Sequence, residues 1–239
     1  MSIIGTNMQT ARYLVASLIL AFVMFITPLI QNAHADNVNP GVFSPDSKPY
    51  GISYGGWTSK WWQWLISLPL SQNPANDDSG KNCANGQAGP VWFLAGAGSG
   101  GAERSCTIPV GKAILFPVID WECSYAEDPQ YHTESGLRTC ATSYMDQVSH
   151  IEATVDGVSL QGLNKYRVQS PLFDLNLVKD NLFGVPAQSS QSVSDGYWVF
   201  LQPLSSGMHE VAFKALKLDV TATSPGSYAQ DLKYHLIVK

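Results

Sequence analysis

Lys112-Ala113-Ile114-Leu115-Phe116-Pro117-Val118-Ile119 lies between Cys106 and Cys123 and reads as a buried strand. Its length constrains the cysteines around it. Eight extended residues span about 26 Å at roughly 3.3 Å each, whereas bonded cysteines hold their Cα atoms about 4.4–6.8 Å apart. A 106–123 bridge would therefore force the chain to double back. Four cysteines allow three connectivities. The strand favours Cys83–Cys106 with Cys123–Cys140, each bridge clipping a loop to one end of it, and each worth on the order of 3 kcal/mol. The paired C-x-x-C spacing of a cysteine metal site is absent from the sequence.

Pairing is expected because the chain begins like an exported one. Arg12 precedes an apolar run from Tyr13 to Ile30, and Ala33-His34-Ala35 supplies a small-residue cleavage site before Asp36. Residues 1–35 are read as a signal peptide, with an uncleaved anchor as the alternative. In either case residues 36–239 meet an oxidising, extracytoplasmic environment. Cleavage would remove Arg12 and no acidic residue, making the formal net charge of −5 more negative. Such a balance argues against nucleic acid, whose phosphates demand basic surfaces. No membrane insertion is expected after cleavage; an extracellular ligand or surface partner is.

Outward from the strand, residues 36–50 form a proline-rich lead-in. Trp57-Thr-Ser-Lys-Trp-Trp-Gln-Trp-Leu-Ile-Ser-Leu68 follows, with Trp57, Trp61, Trp64, Leu65 and Leu68 on one helical stripe and Pro69 as its stop. Trp62 and Ile66 lie off the stripe, so the helix is expected to be covered on two sides. Residues 71–90 are a polar loop, Val91–Ala95 a short strand, Gly96–Gly101 a glycine-rich turn and 134–149 a helix. Near residue 150 the style changes. Asp156-Gly157 marks a hairpin within 153–160, and strands are expected at 165–169, 172–177, 197–201, 209–215 and 230–238. In the last of these Leu232, Tyr234, Leu236 and Val238 alternate with polar residues. The expected fold is mainly β: a disulfide-containing α+β part (36–149) packed on a C-terminal immunoglobulin-like sandwich (150–239).

Trp61-Trp-Gln-Trp64, Gly111-Lys-Ala-Ile-Leu-Phe-Pro-Val118 with Glu122-Cys123, and Ser194-Asp-Gly-Tyr-Trp-Val-Phe-Leu201 leading to Gly207-Met-His-Glu-Val211 carry a resemblance. Over about residues 50–239 the chain resembles a family of secreted bacterial and archaeal proteins of uncharacterised activity. That resemblance implies the domain reading and brings no catalytic residue with it.

Four constellations bear on chemistry. The aromatic helix, with Trp57, Trp61, Trp62 and Trp64, could form a binding platform, but burying each ring is worth about 4–6 kcal/mol gross, which favours core packing. Gly51-Ile-Ser53-Tyr-Gly55 matches a nucleophile elbow without the preceding strand that motif requires. Asn76, Asp78 and Asn82 are spaced like oxygen ligands of a calcium loop, but Gln87 stands where the closing glutamate belongs. A solvated turn beside Cys83 is the better reading there. The sharpest cluster runs from Asp120 and Glu122, on one side of the strand's end, through Glu127, Asp128, His132 and Glu134 in a loop that a disulfide would close. Carboxylates and an imidazole of this kind suit a divalent cation or acid–base work. His209, sharing a face with Val211 and Phe213, reads as a satisfied, half-buried side chain. The sequence thus leads to a non-enzymatic secreted or surface-associated binding module. Its alternatives are a metal-dependent hydrolase centred on the acidic loop, and a structural envelope component.

Overall fold

The computed structural model describes residues 39, 41–98, 100–218 and 227–239. The expected leader and its cleavage site lie outside the described residues. Among those described, ten strands form two five-stranded sheets. β1 (Val91–Phe93), β3 (Ala113–Ser124), β8 (Gln188–Leu201) and β6 (Arg167–Gln169) make the first in that order, with β7 (Phe173–Leu177) also paired to β8. The second runs β2 (Gly100–Ile108), β10 (Ser227–Val238), β9 (Gly207–Leu218), β4 (Val148–Val155), β5 (Val158–Ser159). β1 pairs parallel to β3 and β2 parallel to β10; the other pairings are antiparallel.

The mainly β expectation holds, and its halves interlock more closely than the sequence suggested. β3, from the N-terminal part, is an interior strand paired along β8, while β2 pairs with β10 from Gly100 to Ile108. Residue 150 marks no boundary between sheets. The expected strand at 112–119 runs on to Ser124, so Asp120 and Glu122 sit within it rather than beyond it. β2 replaces the end of the expected glycine-rich turn, and β8 begins nine residues before the expected 197. The hairpin turn is where Asp156-Gly157 predicted it, with φ of 50° and 76° at the two positions.

Two layers cover the first sheet. On one face, helix α1 (Tyr54–Ile66) sets Trp61 edge-on to Trp198 at 5.2 Å and Trp57 to Phe200 at 5.8 Å. On the other lies the second sheet, where Phe116 stacks on Phe213 at 4.9 Å, together with helix α2 (Glu134–Met145), whose Tyr144 stacks on Trp121 at 4.1 Å. Ser53 caps α1 by accepting the Gly56 N–H at 3.1 Å, which is the use the fold makes of the G-x-S-x-G stretch. The bridges are Cys83–Cys106 and Cys123–Cys140, the connectivity favoured from the sequence, with Cα separations of 6.1 and 6.2 Å.

Pro117 shapes the rest. Proline has no N–H for a ladder, and within an interior strand it is tolerated at a bulge. β3 has that irregularity here: Pro117 pairs with Trp198 and Ile119 with Tyr197, leaving Val118 as the extra residue. The insertion reverses which alternate side chains face which way. Before it Phe116 meets the second sheet; beyond it Trp121 and Cys123 face α2, and Asp120 and Glu122 turn toward the α1 side.

Candidate functional site

Under α1 the redirected carboxylates open onto a cavity of about 390 Å³. Trp61, Trp62 and Leu65 of α1 form one wall, Asp120 and Glu122 of β3 another. Phe183, Tyr228 and Gln230 arrive from distant parts of the chain. Ala75, Asn76 and Gly96 to Gly98 complete the rim. Those rim loops are held by Arg104, a β2 side chain only 1% exposed. Its guanidinium donates to the carbonyls of Asp77 at 2.7 Å, Ala95 at 2.9 Å, Gly96 at 3.1 Å and Ala75 at 3.4 Å, and to the Tyr234 hydroxyl at 2.6 Å. A buried cation satisfied by backbone oxygens acts as a fixed post between two loops.

The carboxyls are poorly served by protein donors. Asp120 Oδ2 and Glu122 Oε2 are both out of solvent with no hydrogen-bond partner, and so is the Trp62 indole N–H. Burial pushes Asp120 well above the usual carboxylate range; the nearby Trp62 N–H offsets this in part without closing a full hydrogen bond. Glu122 is raised by burial first and then by the charge of Glu127, although the Ser192 hydroxyl donates to its Oε1. Glu127 is raised as well, chiefly by burial, while Ser124 donates to its Oε2 at 3.2 Å. Tyr228 is pushed up by burial and by Asp120. Close packing keeps this arrangement rigid: a Cβ on Gly196 of β8 would stand 2.5 Å from Asp120 Cβ and 2.8 Å from Trp198 Nε1.

The acidic segment is thus divided. Asp120, Glu122 and Glu127 line the cavity, while Asp128 lies outside it beside the Cys123–Cys140 bridge. His132 is exposed, and Glu134 pairs with Arg138 at 2.6 Å on α2. Among the described residues, the grouping of potential metal ligands within 4.8 Å is Cys123, Asp128 and Cys140, whose sulfurs are bonded to each other. The six acidic and histidine residues read from the sequence are not gathered around one point.

The calcium-like loop is a structured turn instead. Its organising group is Asp77, which accepts the Ser79 hydroxyl at 2.7 Å and the N–H groups of Ser79 and Asn82 at 3.0 and 2.8 Å. Asp78 is exposed; Asn76 and Asn82 reach back to the carbonyls of Leu70 and Ser71, both at 3.4 Å. The four helix tryptophans are buried, and Trp61 and Trp62 also face the cavity. Phe183, Tyr228 and Gln230 escaped sequence reasoning because they lie far from Asp120 in the chain and carry no motif. His209 pairs with Asp156 at 2.7 Å and reaches the Ser205 carbonyl at 3.0 Å.

No helix among the described residues is long and apolar enough to cross a membrane. No family model and no curated protein matches the chain. Among solved structures, a cysteine protease inhibitor from Entamoeba histolytica is 11% identical, covering 62% of this chain and 94% of its own, with a TM-score of 0.21. PbICP-C, solved in complex with falcipain-2, is 9% identical, covering 63% and 100%, with a TM-score of 0.23. The solution structure of amebosin is 6% identical, covering 59% and 98%, with a TM-score of 0.15. Likenesses this slight carry no argument about the chain's fold or partners.

Proposed function

We propose that this protein is an exported, non-enzymatic module that binds a small ligand in the cavity between α1 and the end of β3. The observation that carries this is the convergence of unpartnered, solvent-shielded carboxyl oxygens and aromatic side chains on a cavity of about 390 Å³. Volumes of roughly 300–1,000 Å³ with apolar walls and few polar groups are those of small-molecule sites. Buried polar atoms normally find partners, and carboxyls short of them beside a cavity favour a ligand that offsets their burial. The two disulfides support an oxidising compartment. The metal-dependent hydrolase has less support, since its expected ligands are spread over the cavity, an exposed loop and α2.

Gly98 at the cavity rim offers a direct test, because a Cβ there would meet nothing within 4 Å. A compound screen by thermal shift should find ligands that raise the Tm of the wild type. Gly98→Phe, whose Cβ has open space, should set a ring at the rim, keep the ligand-free Tm and lose the response. A response unchanged in Gly98→Phe would place binding elsewhere. A chelator should leave the Tm unchanged; stoichiometric metal in the purified protein would revive the hydrolase.

A further inference from the structure

The lining of the cavity points to the charge of its ligand. Asp120, Glu122 and Glu127 face it, and among the described residues no lysine, arginine or histidine lines it. An entering anion would meet carboxyl oxygens and no counter-charge. Two of the carboxyl oxygens, Asp120 Oδ2 and Glu122 Oε2, are buried without a full hydrogen bond, Trp62 lying beside Asp120 and the Glu127 carboxyl beside Glu122. The polar tips of two wall aromatics are already used: Trp61 Nε1 donates to the Leu94 carbonyl at 2.9 Å and the Tyr228 hydroxyl to Ala97 O at 2.5 Å. Trp62 and the half-buried Tyr228 leave ring surface to the cavity, with Trp61 packed behind them at 1% exposure, and ring faces attract cations. A sugar would need donors and acceptors in comparable number, yet Trp62 Nε1 is the unpartnered donor on this wall. An inorganic divalent ion would need several oxygens within a few ångströms of one point, and the described carboxylates offer no such group. Unsatisfied acceptors, aromatic faces and an absence of basic side chains together complement a positive charge on an apolar body.

We propose that the cavity binds an organic cation, its ammonium group seated against Asp120 and the rings of Trp62 and Tyr228. This rests on the ligand-binding reading above and specifies the ligand's class. Burial disfavours charge on the carboxyls; an ammonium group brings the counter-charge that their surroundings lack.

Calorimetric titration of the protein with choline and with dimethylbutanol, the uncharged carbon isostere of choline, tests the assignment without any variant. Choline should bind at least about tenfold more tightly than dimethylbutanol. Asp120→Asn should remove that preference, and Gly98→Phe should remove binding of both. Equal affinities, or no binding of choline, would overturn the cation assignment and leave the pocket standing. Binding of methyl glucoside in place of choline would overturn it in favour of a sugar. Choline binding that survives Gly98→Phe intact would overturn the pocket itself.

Discussion

Asp120 is held in conditions that oppose its ionisation, and this has a consequence for stability. Its folded-state pKa is raised by burial, so at neutral pH folding must either take up a proton or bury a charge, whereas the unfolded chain leaves it ionised in water. Asp120→Asn should therefore raise the unfolding midpoint of the ligand-free protein at pH 7, with the gain shrinking as pH falls through the raised folded value and gone below about pH 4. Denaturation across that range checks it; a less stable variant at pH 7 would contradict the account. Arg104 is the opposite case. Replacing it with leucine takes a donor from the carbonyls of Asp77, Ala95, Gly96 and Ala75, although Ala95 O keeps the Tyr234 hydroxyl, and we expect a loss of about 3 kcal/mol or more. His209 and Asp156 make a third. The hydrogen bond to Asp156 raises His209 against the opposing effect of burial, and Asp156 is held low because its bonds to His209 and the Glu210 N–H outweigh its own burial. With both ring nitrogens engaged, one by the Ser205 carbonyl, the imidazole is used as a cation. Its contribution is present below about pH 6.5 and fades as pH rises through the raised folded value; that of Asp156 is present above about pH 4 and fades as pH falls through the lowered one. His209→Gln should lower stability between those limits and flatten the profile above about pH 6.5 and below about pH 4.

At the scale of elements, the bulge at Val118 and the bridge at Cys123 work together. The bulge turns Asp120 and Glu122 toward α1, and Cys123–Cys140 pins the opposite face of β3 to α2. Replacing both cysteines with alanine, which opens a bridge of sequence separation 17, should lower stability by about 3 kcal/mol; chemical denaturation under non-reducing conditions measures it. The elements legible in the sequence were those whose chemistry is local. β10 alternates apolar and polar residues, α1 carries a tryptophan stripe and a stop at Pro69, and Asp156-Gly157 can adopt the positive φ its turn needs. Elements that depend on distant partners were not legible. β2 opens on glycines and turns an arginine inward at 104, so its inner face breaks the apolar pattern. The first half of β8 is serine- and glutamine-rich, yet Ser192 and Ser194 are fully buried where it pairs with β3. In the site, Asp120 and Glu122 could be placed on one side of the strand from sequence. Their aromatic surroundings from 183 and 228 could not, and the bulge that aims them was hidden in a proline read as part of a plain strand.

At the scale of the molecule, each sheet joins strands from both sides of residue 150, so neither half has its own core. Expressed alone, residues 150–239 would lose β2 from beside β10 and β3 from beside β8, and should show no cooperative unfolding transition; a sharp transition in that fragment would contradict this topology. The same interlocking builds the cavity, since α1, β3, the Arg104-held loops, Phe183 and Tyr228 meet only when both sheets are assembled. β3 delivers Asp120 into confined, aromatic surroundings against Trp62. Carbon NMR of the Asp120 side-chain carboxyl, followed as a function of pH in the intact protein, tests this most directly. The account predicts a midpoint well above that of a solvated aspartate, and a midpoint at or below the ordinary value of about 3.9 would contradict it.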